Sequence, residues 1–188
     1  MTELRLRVYP NIDFSPLQGL TSLIKLDLSF NGISDISSLP KIANLTTLDL
    51  RSNQITDLSG LRGLTNLTEL KLEGNPISNI NGVQYLVNLQ HLSLAGKVID
   101  GDISVLQGMT NLVSLDLRFN EISDISALRG LTNLTYLFLG GNQISDISPL
   151  KELRNLTWLE LWDNPISAYD IEDLREAFRD CFIRIVLH

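Results

Sequence analysis

The chain has 188 residues, 44% of them hydrophobic, with a formal charge of -7 at pH 7 and an isoelectric point near 4.7. That balance argues against nucleic acid and anionic membranes as partners, because phosphate binding requires a concentrated basic surface. No apolar stretch reaches the roughly 20 residues of a membrane span, the opening Met1-Thr-Glu-Leu-Arg-Leu-Arg7 does not read as a signal peptide, and a lone cysteine, Cys181, excludes an intramolecular disulfide framework. With no linker, low-complexity tract or long charge run, residues 1–188 read as one ordered domain, and its compartment stays open.

Residues 1–22 hold a sparse apolar pattern that takes its meaning from the residues C-terminal to it. From Leu23 to Ile166 the frame LxxLxLxxNxI recurs, with its anchor at Asn31, Asn53, Asn75, Lys97, Asn120, Asn142 and Asn164, in steps of 22, 22, 22, 23, 22 and 22 residues. A fixed period of this size predicts a stacked solenoid, and its consensus is that of a leucine-rich repeat. Against this frame Leu4 and Leu6 align with Leu26 and Leu28, and Phe14 and Leu17 with Ile36 and Leu39, so residues 1–22 form a degenerate first repeat in which Tyr9 takes the place of the Asn.

Within each regular repeat, residues 23–166, the central Leu-x-Leu alternates as a short half-buried strand does. One unit cannot bury its apolar face, but units stacked at about 4.8 Å form a parallel sheet over a continuous core. An Asn closing each strand can both donate and accept, so the column predicts a ladder between turns. A second recurring phrase, Asp-x-Ser at Asp35, Asp57, Asp102, Asp124 and Asp146, suits the cap of a short turn. About 22 residues per coil leave room for turns or 3-10 segments on the convex side. In the fifth unit Lys97 replaces Asn and one residue is gained within Val98–Asp102, read as a loop insertion that Gly101 absorbs. Residues 167–188 form a C-terminal cap. Ser167 and Asp170 make a capping box, Ile171, Leu174 and Phe178 share a helical face, and Ile183 and Ile185 lie 24 residues after Leu159 and Leu161 as a last strand.

The predicted fold is therefore an α/β solenoid, a curved right-handed coil with a concave parallel sheet. Asn142-Gln-Ile-Ser-Asp-Ile-Ser-Pro-Leu150, preceded by Leu131-Thr-Asn-Leu-Thr135, resembles the 22-residue repeats of bacterial internalins, relatives of the repeat proteins that regulate a Ser/Thr phosphatase. That resemblance implies recognition of another protein on the concave sheet, without catalysis.

Alternation of side chains places the outward strand positions in three lanes. The N-terminal half alternates charge, as in Asp49 with Lys71 and Arg51 with Glu73, which suggests pairing between adjacent strands. The C-terminal half gathers Tyr136, Phe138, Trp158 and Trp162, with Phe119 at the border and Phe182 as an extension, beside Asp116, Arg118 and Glu160. Clustered surface aromatics are typical of binding hot spots, and Gly140 and Gly141 beside them suggest space for a ligand side chain. These eight residues, Phe182 aside, are the candidate protein-binding site, with Asp116, Arg118 and Glu160 setting its polarity.

No constellation supports catalysis, a metal or a cofactor. His91 and His188 stand apart without ligands at metal spacing, Cys181 reads as a small buried residue, and the repeated Asp-Ile-Ser offers one carboxylate per unit where calcium needs several converging oxygens. Four sequons at Asn44, Asn66, Asn133 and Asn155 read as products of the repeat wording. The expected function is a monomeric, non-enzymatic module for a protein or peptide ligand, without nucleic acid or membrane insertion. The alternative is a scaffold that self-associates through its open N-terminal sheet edge, against which the charges of Glu3, Arg5 and Arg7 speak.

Overall fold

The structure is a computed structural model that describes residues 1–6, 13–96 and 101–185. Tyr9, Arg7, His188, Lys97 and most of the inserted stretch after it lie outside the described residues.

Each apolar-polar-apolar triplet becomes a three-residue strand: β1 (Glu3–Arg5), β2 (Lys25–Asp27), β3 (Thr47–Asp49), β4 (Glu69–Lys71), β5 (His91–Ser93), β6 (Ser114–Asp116), β7 (Tyr136–Phe138), β8 (Trp158–Glu160) and β9 (Phe182–Arg184). They pair in parallel and in chain order as one open sheet, the inner face of a curved leucine-rich repeat solenoid. Register follows the period without a slip: Leu4 opposes Leu26, Leu26 opposes Leu48, and so on to Leu159 opposite Ile183. A slip of one residue would turn every leucine to solvent, so the apolar face itself enforces the register. All fourteen leucines of the Leu-x-Leu motif from Leu26 to Leu161 are no more than 2% exposed. Leu4 and Ile183, at the two ends, are only partly buried against the core.

On the far side, 3-10 segments run over Ser15–Gly19, Ser59–Gly63, Asn81–Tyr85, Ser104–Gly108, Ser126–Leu128 and Ser148–Glu152. Before each one, a carboxylate or amide oxygen of Asp13, Asp57, Asn79, Asp102, Asp124 or Asp146 accepts from the backbone N–H two residues on, at 2.7–2.9 Å. Asp35 makes the same bond to Ser37, at the start of a plain turn. Hydrogen bonds from the Ser backbone hold the Asp13, Asp35, Asp102, Asp124 and Asp146 carboxyls below their ordinary value; at Asp57 the Ser59 hydroxyl has the larger share.

The Asn column is a ladder, as the sequence predicts. Asn53 Nδ2 donates to the carbonyls of Leu50 in its own coil and Leu28 in the preceding one, at 2.8 and 3.0 Å, while its Oδ1 accepts from the N–H of Asn31 and Ile33. Asn75 and Asn142 repeat this arrangement, and Asn31, Asn53, Asn75, Asn120 and Asn142 are all buried. A second ladder escaped the sequence reading. Asn44, Asn66, Asn88, Asn111, Asn133 and Asn155 donate Nδ2 to carbonyls of the preceding coil at 2.7–3.0 Å. The sequon asparagines are thus structural, with their amide nitrogens already engaged.

The residue before each inner Asn, and before Lys97 in the fifth coil, carries a further constraint. Gly74, Gly96 and Gly141 have positive φ, and so do Phe30, Ser52, Phe119 and Asp163 at the equivalent place. The chain turns out of the sheet through a left-handed residue, which glycine adopts freely and an L side chain adopts at a cost of about 1–2 kcal/mol.

Helix α1 (Ala168–Ala177) begins at Ser167, whose Oγ accepts from the Asp170 N–H at 3.1 Å. It buries Ile171, Leu174 and Phe178 over the last coil, and its Asp173 pairs with Lys151.

These packings set two stability outcomes. Leu94, fully buried at the centre of the stack, should cost about 2–5 kcal/mol when replaced by Ala. Asn53→Leu leaves the N–H groups of Asn31 and Ile33 without their acceptor and removes one of the two amide donors to the Leu28 and Leu50 carbonyls, and should cost about 1–3 kcal/mol. Urea unfolding monitored by circular dichroism measures both, and an unchanged midpoint for Asn53→Leu would remove the ladder from the account of stability.

Candidate protein-binding face

Parallel register converts the strand positions into rows that cross the sheet. Ser114, Tyr136, Trp158 and Phe182 stand side by side, as do Asp116, Phe138, Glu160 and Arg184. Beyond them lie Arg118, Gly140 and Trp162, with Phe119 on the left-handed turn at the border. The eight residues singled out from the sequence therefore fall in one patch at the C-terminal half of the face.

Rings and cations interlock there. Trp158 packs on Phe182 with centroids 4.3 Å apart. Trp162 leans back over Gly140 and meets the edge of Phe119 at 5.1 Å. The Arg118 guanidinium lies 5.0 Å from the Phe138 ring centre, and that of Arg184 lies 5.9 Å from Trp162. Tyr136, Phe119 and Phe182 remain 46%, 54% and 53% exposed, so the patch presents large apolar area to solvent despite its internal contacts.

Glu160 is the hub. Its residue is only 4% exposed, and its carboxylate accepts from the indole N–H of Trp158 at 3.3 Å and of Trp162 at 3.1 Å. Arg118 and Arg184 each approach it at 3.6 Å. Asp116 accepts from Arg118 Nε and Nη2 at 3.0 and 2.6 Å, which fixes that guanidinium over Phe138. Burial pushes the Glu160 carboxyl upward, but the Trp162 and Trp158 donors and the charges of Arg118 and Arg184 outweigh it, so the net is a lowered pKa.

Three expectations need correction. The space beside Gly140 is not open, because a Cβ placed there would lie 2.2 Å from the Trp162 ring; the glycine makes room for the protein's own indole. At Gly141 a Cβ would meet Phe119 at 3.0 Å. The charge pairs of the N-terminal half form mainly within strands, Arg51 with Asp49 at 2.6 Å and Lys71 with Glu69 at 2.8 Å, because residues two apart share a face and a long side chain can fold back. Arg5 with Asp27, at 2.6 Å, does cross between strands. Finally, Cys181 is half-buried rather than fully so, and burial pushes its thiol pKa up, away from nucleophilic use. Arg184 is a further member of the site that the lanes alone do not single out, although the 24-residue offset that pairs Ile183 with Leu159 also pairs Arg184 with Glu160.

His91 is exposed. Among the described residues no three His, Cys, Asp or Glu side chains are grouped to hold a metal, and no helix is long and apolar enough to cross a membrane.

Because its pKa is lowered on folding, Glu160 contributes stability that is fully present above the unfolded value of 4.5 and is lost as pH falls through the lower folded value. Trp158 and Trp162 are the only tryptophans, so intrinsic fluorescence reads this site alone. An acid titration should show an emission change with a midpoint below 4.5, and Glu160→Gln should shift the neutral-pH spectrum and abolish that step. Removing charge-assisted bonds should also destabilise the variant by about 1–3 kcal/mol.

A family model described as "Leucine Rich repeats (2 copies)" matches residues 43–85, 87–130, 110–152 and 132–176, and a single "Leucine Rich repeat" matches residues 19–36. Among solved structures, internalin C2 of Listeria monocytogenes is 33% identical with a TM-score of 0.74, over 89% of this chain and 82% of that one. A second internalin of the same organism is 29% identical with a TM-score of 0.56, over 94% of this chain and 66% of the other. A leucine-rich repeat protein of Leptospira interrogans, at 24% identity and a TM-score of 0.68, shares the fold over 97% of this chain and 60% of its own. The chain thus spans less than two thirds of the latter two. A search of curated protein sequences returned no match. Repeats of this kind generally mediate protein–protein binding and are typically non-enzymatic scaffolds. The family matches, the register of the sheet and the buried Asn ladder agree that the chain belongs to the leucine-rich repeat family.

Proposed function

We propose that the concave strand face of this chain binds a protein or peptide without catalysis, with Tyr136, Phe138, Trp158 and Trp162 as its anchors. The observation that carries this reading is a ring cluster in which Tyr136, Phe119 and Phe182 stand exposed around two half-buried indoles that bond to Glu160. Large aromatic side chains bury much area with few rotatable bonds. Fixing both indoles before a partner arrives lowers the ordering cost of association. Phe119 supports the same reading, since it occupies a left-handed position where glycine would be unstrained, yet its ring stands more than half exposed against Trp162. Asp116 and Arg118 give the patch its polar rim, and Glu160 acts behind it as a positioning group.

In the N-terminal half the self-paired charges leave less for a partner, since exposed pairs of this type contribute only about 0–1 kcal/mol. Charged Glu3 and Arg5 on β1 also blunt strand addition at that edge, which favours a monomer. A peptide ligand selected from a random library on the wild-type protein should bind Trp158→Ala or Trp162→Ala more weakly by about 2 kcal/mol or more. Lys25→Ala, far from the rings, should bind as the wild type does. Calorimetric titration with melting curves for each variant checks this, and equal affinity for the tryptophan variants would move the site elsewhere.

A further inference from the structure

Midway along the strand face lies a notch that the aromatic patch does not explain. β5 offers the small Ser93, and beyond it Ala95, between the long side chains of β4 and those of β6 and β7. The result is a depression of about 270 Å³ whose walls include Glu69, Lys71, Glu73, Asp116 and Phe138, with Ser93 on its floor. Two polar atoms here are closed off from solvent and take no hydrogen bond, Glu73 Oε2 and Ser93 Oγ. They belong to side chains of different chemistry, one just after β4 and one on β5, and both residues line the same space.

His91 also lines the notch, while the lysine and arginine side chains around it are committed elsewhere. Lys71 Nζ sits 2.8 Å from Glu69, Arg51 binds Asp49, and Arg118 binds Asp116. Arg51 and Arg118 feel the charge of Glu73, yet none of the ion pairs among the described residues includes it. Of the three carboxylates on the walls, Glu69 is paired with Lys71 and Asp116 with Arg118, which leaves Glu73 as the one without an ion pair among the described residues. A buried carboxylate oxygen without a donor is costly to leave so.

We infer that this notch receives an arginine side chain of the bound protein or peptide, toward which the half-buried Glu73 and Ser93 side chains turn so that its guanidinium donates to the Glu73 carboxylate and the Ser93 hydroxyl. The inference rests on the reading of the strand face as a binding surface and names the chemistry of the partner. A guanidinium supplies several donors in one plane, keeps its charge, and tolerates apolar walls such as Phe138 and Leu92 better than a strongly hydrated ammonium does. A metal ion is disfavoured because no three ligating side chains converge among the described residues. The geometry also sets a spacing. From β5 to the rings on β7 and β8 is two to three strand intervals, about 10–14 Å, which an extended peptide crosses in about three to four residues. The partner segment therefore carries an arginine and a large apolar residue three or four positions apart.

The test uses N-acetyl-arginine amide as probe, with N-acetyl-citrulline amide as its uncharged counterpart of the same shape, in an NMR titration of the full chain. The arginine probe should produce saturable shifts in the backbone amides of Glu73, Ser93 and Ser114, with a dissociation constant in the millimolar range, and the citrulline probe should not. Glu73→Gln should weaken binding at least fivefold. Ser93→Leu, which fills the notch and leaves every carboxylate in place, should abolish it. Shifts that fail to saturate, that appear equally with citrulline, or that ignore both substitutions would overturn the inference. The probe has no apolar residue, so it reports the notch alone, whereas loss of the selected peptide in the tryptophan variants reports the rings. Failure of either result leaves the other standing.

Discussion

Every feature of this protein depends on one repeated contact, the buried asparagine amide that bonds its own coil and the coil before it. The amide donates to two carbonyls and accepts from the turn of the preceding coil, so it fixes rise and register between the coils that carry it. Leucine burial alone would allow coils to slide or rotate, because apolar contact is non-directional. The amide ladder supplies direction, and the leucines supply most of the free energy. With register set, the outward lanes are set too, and any binding surface is a consequence of which side chains the chain writes at those positions.

That coupling also explains why the turn before each asparagine is strained where it is not glycine. The chain must turn inward just after the strand ends, and it does so through a left-handed residue before each described inner Asn and before Lys97. Where the chain places Phe119 instead of glycine, it accepts the cost and gains a ring at the rim of the face, in contact with Trp162. Phe30 occupies the same position near the other end and is also exposed, so the turn of each coil doubles as a site from which large side chains can be displayed.

The period, the register, the buried leucines and the capped terminal helix were legible because each is a local rule repeated along the chain: Leu94 and Asn53 announce themselves by spacing alone. The outer Asn44 to Asn155 ladder was written just as regularly but was disguised by its coincidence with a glycosylation motif. The site was legible only to the level of lanes. Lane membership is dictated by alternation, but how neighbours satisfy one another is not. Arg51 turning back to Asp49 rather than across to Glu73 is a choice of rotamer, and Gly140 as a seat for Trp162 depends on a ring one strand away. Arg184 went unnoticed because β9 departs from the 22-residue step, although the offset that places Ile183 beside Leu159 places it as well.

The strand face divides according to how completely it answers its own charges. Around β2 to β4 most cations find a carboxylate, within the strand or on the next one, and around β8 the carboxylate of Glu160 finds two indoles and two guanidinium groups. Such self-pairing stiffens a surface and lowers its appetite for ions from outside. Apolar area left exposed on a stiff patch, as at Tyr136 and Phe182, then becomes the main source of attraction for another protein. Between these two satisfied regions, β5 places small side chains where its neighbours have long ones, and there the balance fails: Glu73 keeps a buried oxygen with no donor. An unmet acceptor beside exposed rings gives the face both of the components that specific recognition needs, since the rings attract any apolar surface while a buried unpaired acceptor penalises every ligand that cannot donate to it.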